Sequence, residues 1–198
     1  MQLSAGSHGT TRPDAVLDFW FGAPDSPERG RSRKAWFTKS ESFDQLIRDG
    51  YGAAALAARR GELDHWARVP LAGLALLILL DQFPRNLYRG SAEAFASDAR
   101  ALAVARSMVA QGFDRVLRPV ERLFVYLPFE HSEDLAVQRT SVALFEALAR
   151  DGQDNVDYAH RHYDFILRFG RFPHRNAALG RASTPEELAF LAQPGSSF

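Results

Sequence analysis

The chain has 198 residues, 46% hydrophobic and 24% charged, the make-up of a globular protein large enough to bury a core without disulfide or metal staples. Its 24 basic residues balance 24 acidic ones, so a zero net charge offers no general attraction to nucleic acid or an anionic membrane. Cysteine is absent, which excludes thiolate nucleophiles, Cys-based zinc sites and disulfides, and fits a reducing, cytoplasmic interior.

Residues 1–12 are small and polar, without the basic and apolar regions of a signal peptide, and read as a loose end carrying His8. Residues 13–198 read as one all-helical domain, because strand signals are nearly absent and helix punctuation recurs throughout. Thr11 with Pro13 opens a helix over 14–21 that Gly22 closes. A polar Pro/Gly loop over 23–33 leads to the anchor Ala35-Trp36-Phe37, and Ser40 or Ser42 opens a helix to about Arg60. Gly50 and Gly52 inside it each cost about 1 kcal/mol.

Pro70 starts an aliphatic helix expected to end before Pro84. Its apolar run, 71–80, is half the length of about 20 residues that a membrane span requires, so it belongs to a buried core. Ser97-Asp98 caps a helix to Gln111, stopped by Gly112, and Pro119 starts another over 120–127. Ser132, or the residues before it, opens a helix to about Arg150, and 155–169 is helical with Gly170 at its end. Thr184-Pro185-Glu186-Glu187 is a capping box that opens a last helix. On the helix over 131–149, Leu135, Val142, Phe145 and Ala149 share one face and Val137, Leu144 and Leu148 a second, so that helix packs between neighbours.

Two segments near helix ends carry almost the same unusual residues: Asp81-Gln82-Phe83-Pro84-Arg85-Asn86 and Arg171-Phe172-Pro173-His174-Arg175-Asn176. A third proline-marked break, Leu127-Pro128-Phe129, precedes Glu130-His131-Ser132-Glu133. One explanation is structural: proline ends the helix, Phe plugs the core, and Arg and Asn bond the orphan carbonyls of the last turn. The other is a site, because Arg forks suit carboxylate or phosphate. His131 and Gln138 fall on an apolar stripe, where they either bridge helix ends or wall a pocket, while Glu130 and Glu133 suit helix capping. His162 with Asp164 could begin a His–carboxylate metal site, but no fixed ligand spacing supports it and no metal or cofactor is expected. No nucleophile elbow or phosphate-cradling glycine loop is present.

Read in order, several motifs resemble a known bacterial family, the all-helical proteins catalogued as domain of unknown function 924. The resemblance rests on Val16-Leu17-Asp18-Phe19-Trp20-Phe21-Gly22, Trp36-Phe37, the run from Leu80 to Gly90, Phe95-Ala96-Ser97-Asp98, Pro119 with Glu121-Arg122, and Leu127 to Glu133. It continues through Gln138, His162, the run from Phe169 to Asn176, and Leu179-Gly180-Arg181. It implies antiparallel helix pairs in a tetratricopeptide-like right-handed α-α superhelix, places His162 rather than His160 in the shared motif, and implies no activity.

The candidate site is therefore one polar pocket lined by Asp81, Arg85, Asn86, Glu130, His131, Glu133, Gln138, His162, Arg171, His174, Arg175, Asn176 and Arg181. The leading expectation is a small anionic ligand or acidic peptide end held by Arg171, Arg175 and Arg85. The alternatives are an enzyme using His131 or His162 with Glu130 or Glu133 as acid and base, and a scaffold whose polar cluster is only structural.

Overall fold

The computed structural model describes residues 11–196, and these are all-α, with no strand among them. Of the N-terminal end expected to be loose, residues 1–10, His8 among them, lie outside the described residues, while Arg12 pairs with Asp14. The helices are α1 (Pro13–Phe21), α2 (Glu41–Arg60), α3 (Pro70–Leu77), α4 (Phe83–Leu87), α5 (Asp98–Ala110), α6 (Pro119–Glu130), α7 (Leu135–Arg150), α8 (Val156–Phe169) and α9 (Pro185–Leu191).

The aliphatic run forms the centre. Leu74 to Leu80 are fully buried, and α1, α5 and α6 all pack on α3. Gly73 admits the Met108 side chain of α5, whose sulfur would stand 3.0 Å from a Cβ there. Beside this run Trp20, Trp36, Phe83 and Phe124 meet edge-on or stacked, and the Trp36 indole N–H donates to the Trp20 carbonyl at 2.8 Å. Among the described residues no helix is long and apolar enough to cross a membrane.

Local signals hold at several ends. Ser40 caps α2 by accepting the Phe43 N–H, Gly61 and Gly170 close α2 and α8 in the left-handed region, and Thr184 and Glu187 form the capping box of α9. α7 packs against both α6 and α8, as its two apolar faces require.

Three expected boundaries move. The helix does not stop before Pro84: it passes from α3 through a π-helical turn, Ile78–Gln82, directly into α4. Proline has no N–H for the Leu80 carbonyl four residues back, and the Ser97 hydroxyl donates to that carbonyl instead, at 2.7 Å. Ser97 therefore bonds across the fold and gives no side-chain cap to α5. Pro128 likewise lies inside α6, buried in the core, rather than at a break. α7 begins later than expected, at Leu135, capped by the Asp134 carboxylate on the N–H groups of Ala136 and Val137. Glu130 is thus the last residue of α6, and His131 and Glu133 sit in the turn between two helices instead of capping one.

Candidate functional site

The π turn widens the helix at Asp81 and Gln82, so both side chains enter the interior. Asp81 accepts the Gln82 amide at 2.6 Å and meets His131 Nδ1 at 2.8 Å, with Arg85 Nη1 at 3.2 Å. Burial alone would raise this carboxyl, but Arg85, His131 and Gln82 outweigh it and hold Asp81 well below the usual carboxylate range. Burial, then Arg85, lowers His131 more than Asp81 raises it, so the imidazole is neutral at pH 7. An ionised Asp81 only accepts, so the proton sits on Nδ1 and Nε2 is left as an acceptor. Among the described residues Nε2 makes no hydrogen bond, and the side chain is 14% exposed.

Asp98, the first residue of α5, gathers both arginines. Arg85 grips it in a bidentate fork at 2.9 and 3.0 Å, and Arg175 Nη1 reaches it at 3.3 Å. Arg175 Nη1 also donates to the His131 carbonyl at 3.1 Å, and the guanidinium carbon stands 4.7 Å from the Phe95 ring centre and 4.4 Å from that of Phe172. Its Nε is buried without an acceptor, and Nη2 makes no hydrogen bond among the described residues. Burial, then Arg85, pulls the Arg175 guanidinium down to about 10. The edge of a guanidinium that forks a carboxylate is therefore left unmatched here.

Behind this centre, His162 Nδ1 donates to the Tyr158 carbonyl at 2.8 Å and lies 3.1 Å from a Glu130 oxygen. Burial, aided by Asp81, pushes Glu130 up to about 8, and burial lowers His162 to about 2, so the contact joins two neutral groups. The other Glu130 oxygen has no hydrogen-bond partner among the described residues. The His162 ring lies 5.5 Å from Phe172 and 6.3 Å from His131, and half-buried His174, lowered to about 4 by burial and Arg175, lies 5.6 Å from Phe172. Gln138 closes the α6–α7 turn by donating to the carbonyls of Glu130 and Ser132.

The remaining expected residues split away. Glu133 staples the loop after α8 by accepting the Phe172 N–H at 2.8 Å and both ends of the Arg181 fork. Arg171 forks the buried Glu187 carboxylate at 2.7 and 2.8 Å, and Asn176 bonds Ser183, Glu187 and Arg181. Asn86 turns elsewhere, to Asp44, which Arg89 also grips. His162 is buried and Asp164 exposed, and among the described residues no group of three metal-binding side chains is assembled.

Asp81, Arg85, His131 and Arg175 thus meet directly, with Glu130, His162 and His174 against them, while Asn86, Arg171, Asn176 and Arg181 serve neighbouring networks. Sequence reading missed Asp98 and Phe95. The available signal was the motif Phe95-Ala96-Ser97-Asp98 in the family resemblance, where Asp98 passed as a cap. Two shallow clefts, about 450 and 410 Å³, are lined by residues within 27–35 and 34–46 and include none of the expected site residues.

The comparisons agree with this shape. Among curated proteins, none matches the chain. It is similar to the solved structure of ATU0120, a protein of unknown function from Agrobacterium tumefaciens, at 39% identity and a TM-score of 0.80, over 91% of this chain and 96% of that one. The family model described as bacterial protein of unknown function (DUF924) matches residues 16–195. On that match the chain belongs to the DUF924 family.

Proposed function

We propose that the protein binds a small anionic ligand or an acidic peptide end, with Arg175 taking the charge. One observation carries this reading: a nearly buried arginine whose Nε has no acceptor among the described residues. A buried donor left unpaired costs about 1–3 kcal/mol, and more when charged, so an oxygen of the ligand would offset a penalty built into the free protein. Arg85 and Arg171 are already forked by Asp98 and Glu187, which narrows the expected three cations to one.

The experiment is thermal unfolding in sodium acetate and sodium sulfate against sodium chloride at equal ionic strength. At a ligand concentration about ten times Kd, linkage adds about 1.4 kcal/mol, which raises Tm by about 3 °C in a chain of this size. Arg175→Gln should abolish the increment. Because sulfate also stabilises folded proteins without binding, acetate is the deciding arm, and an acetate increment undiminished by the substitution overturns the reading.

A further inference from the structure

The hydrogen-bonding sense of each group at this centre restricts what can complete it. Asp98 is largely occupied, since its two oxygens already take three N–H bonds from Arg85 and Arg175, of about four that a carboxylate can accept. The Nε–Nη2 edge of Arg175 presents only donors, parallel and in one plane, beside the rings of Phe95 and Phe172. A planar carboxylate fits that edge with two bonds, and its flat faces suit the aromatic neighbours. The second position left without a partner among the described residues has the opposite sense. His131 Nε2 accepts, because Asp81 takes the Nδ1 proton.

The complement of these two positions is an anion that also donates. An ammonium donor is disfavoured, because it would enter beside two guanidinium groups. We infer that the ligand is a carboxylate with a neutral hydrogen-bond donor, a hydroxyl or an amide N–H, on the carbon next to it; this rests on the reading of Arg175 above. The carboxylate is forked by Arg175, and the neighbouring donor is accepted by His131 Nε2. A 2-hydroxycarboxylate has this chemistry.

Titration of the wild-type protein at pH 7 with acetate, glycolate and methoxyacetate, followed through the Arg175 Nε–H resonance, tests it. The three probes share a carboxylate, and only glycolate carries a neighbouring donor. Glycolate should bind about fivefold tighter than acetate, the worth of one neutral hydrogen bond, and methoxyacetate no tighter than acetate. His131→Phe should erase the glycolate advantage, and the methoxyacetate arm carries the same information without any variant. Equal affinities for all three, with a saturable Arg175 shift, overturn this inference and leave Arg175 as an anion site. An Arg175 resonance that none of the three moves overturns both.

Discussion

The two Phe-Pro segments, Phe83-Pro84-Arg85-Asn86 and Phe172-Pro173-His174-Arg175-Asn176, are nearly alike in sequence and unlike in use. In the first, proline lies inside a continuing helix, and the backbone it disturbs is repaired by Ser97 from another element. In the second, Gly170 ends α8 and Pro173 opens a short 3-10 turn. Their arginines converge, since Arg85 and Arg175 both end on Asp98, whereas their asparagines diverge, Asn86 to Asp44 and Asn176 to Ser183 and Glu187. The shared motif is thus a way of delivering one cation per segment to a common carboxylate. The asparagines anchor each segment to its own surroundings.

If Asp98 is the common anchor, removing it should hurt more than removing the carboxylate that serves one segment alone. Asp98→Ala leaves two guanidinium groups facing each other, one of them nearly buried, and breaking such a pair costs about 4 kcal/mol. Asp44→Ala leaves Asn86 and an Arg89 side chain that is 36% exposed, so water replaces much of what is lost and the cost is about 1 kcal/mol. Urea unfolding midpoints at an unchanged m-value compare the two. Equal losses would mean that the segments are anchored independently and that the convergence on Asp98 carries no energy of its own.

What was legible follows from range. Caps and stops within one turn of their helix, such as Ser40, Gly61, Gly170 and the Thr184–Glu187 box, could be read because their partners are a few residues away. Pro84 and Pro128 were misplaced because a proline ends a helix only when nothing else satisfies the freed carbonyl, and Ser97 lies 17 residues from Leu80. Asp98 was read as a cap for the same reason. Its local position explains it sufficiently, while its two arginines arrive from 13 residues upstream and 77 residues downstream. The clustering of arginine, histidine and carboxylate near the proline-marked segments was visible, but which of them face one another depends on helix packing.

The wall between the two segments should respond to pH. Glu130 in the folded protein is raised to about 8 from an ordinary 4.5, so its stabilising contribution is complete below 4.5 and is lost as pH rises through 8. His162 is lowered to about 2 from 6.5, so its contribution is complete above 6.5 and is lost as pH falls towards 2. The two oppose each other between 4.5 and 6.5, and between 6.5 and 8 only Glu130 acts. Stability should therefore fall by about 2 kcal/mol over that last interval, at about 1.4 kcal/mol per pH unit. Glu130→Gln, which keeps the shape and cannot ionise, should flatten the slope. Parallel profiles for wild type and variant would show that Glu130 does not carry its proton in the folded state.

The smallest effect separates the two prolines. Ser97→Ala removes the donor that serves the Leu80 carbonyl, a loss of about 1 kcal/mol for one neutral hydrogen bond. The informative quantity is its coupling to proline. Pro84→Ala restores a backbone N–H that can reach the same carbonyl, so Ser97→Ala should cost less in that background, by about 0.5 kcal/mol in a double-mutant cycle. Pro173 sits after a helix that Gly170 has already closed through the Ile166 carbonyl, so Pro173→Ala should show no coupling to Ser97. A coupling of the same size at both prolines would mean that the two segments solve the proline problem alike, and that the difference between a continued and a finished helix does not reside in the Ser97 hydroxyl.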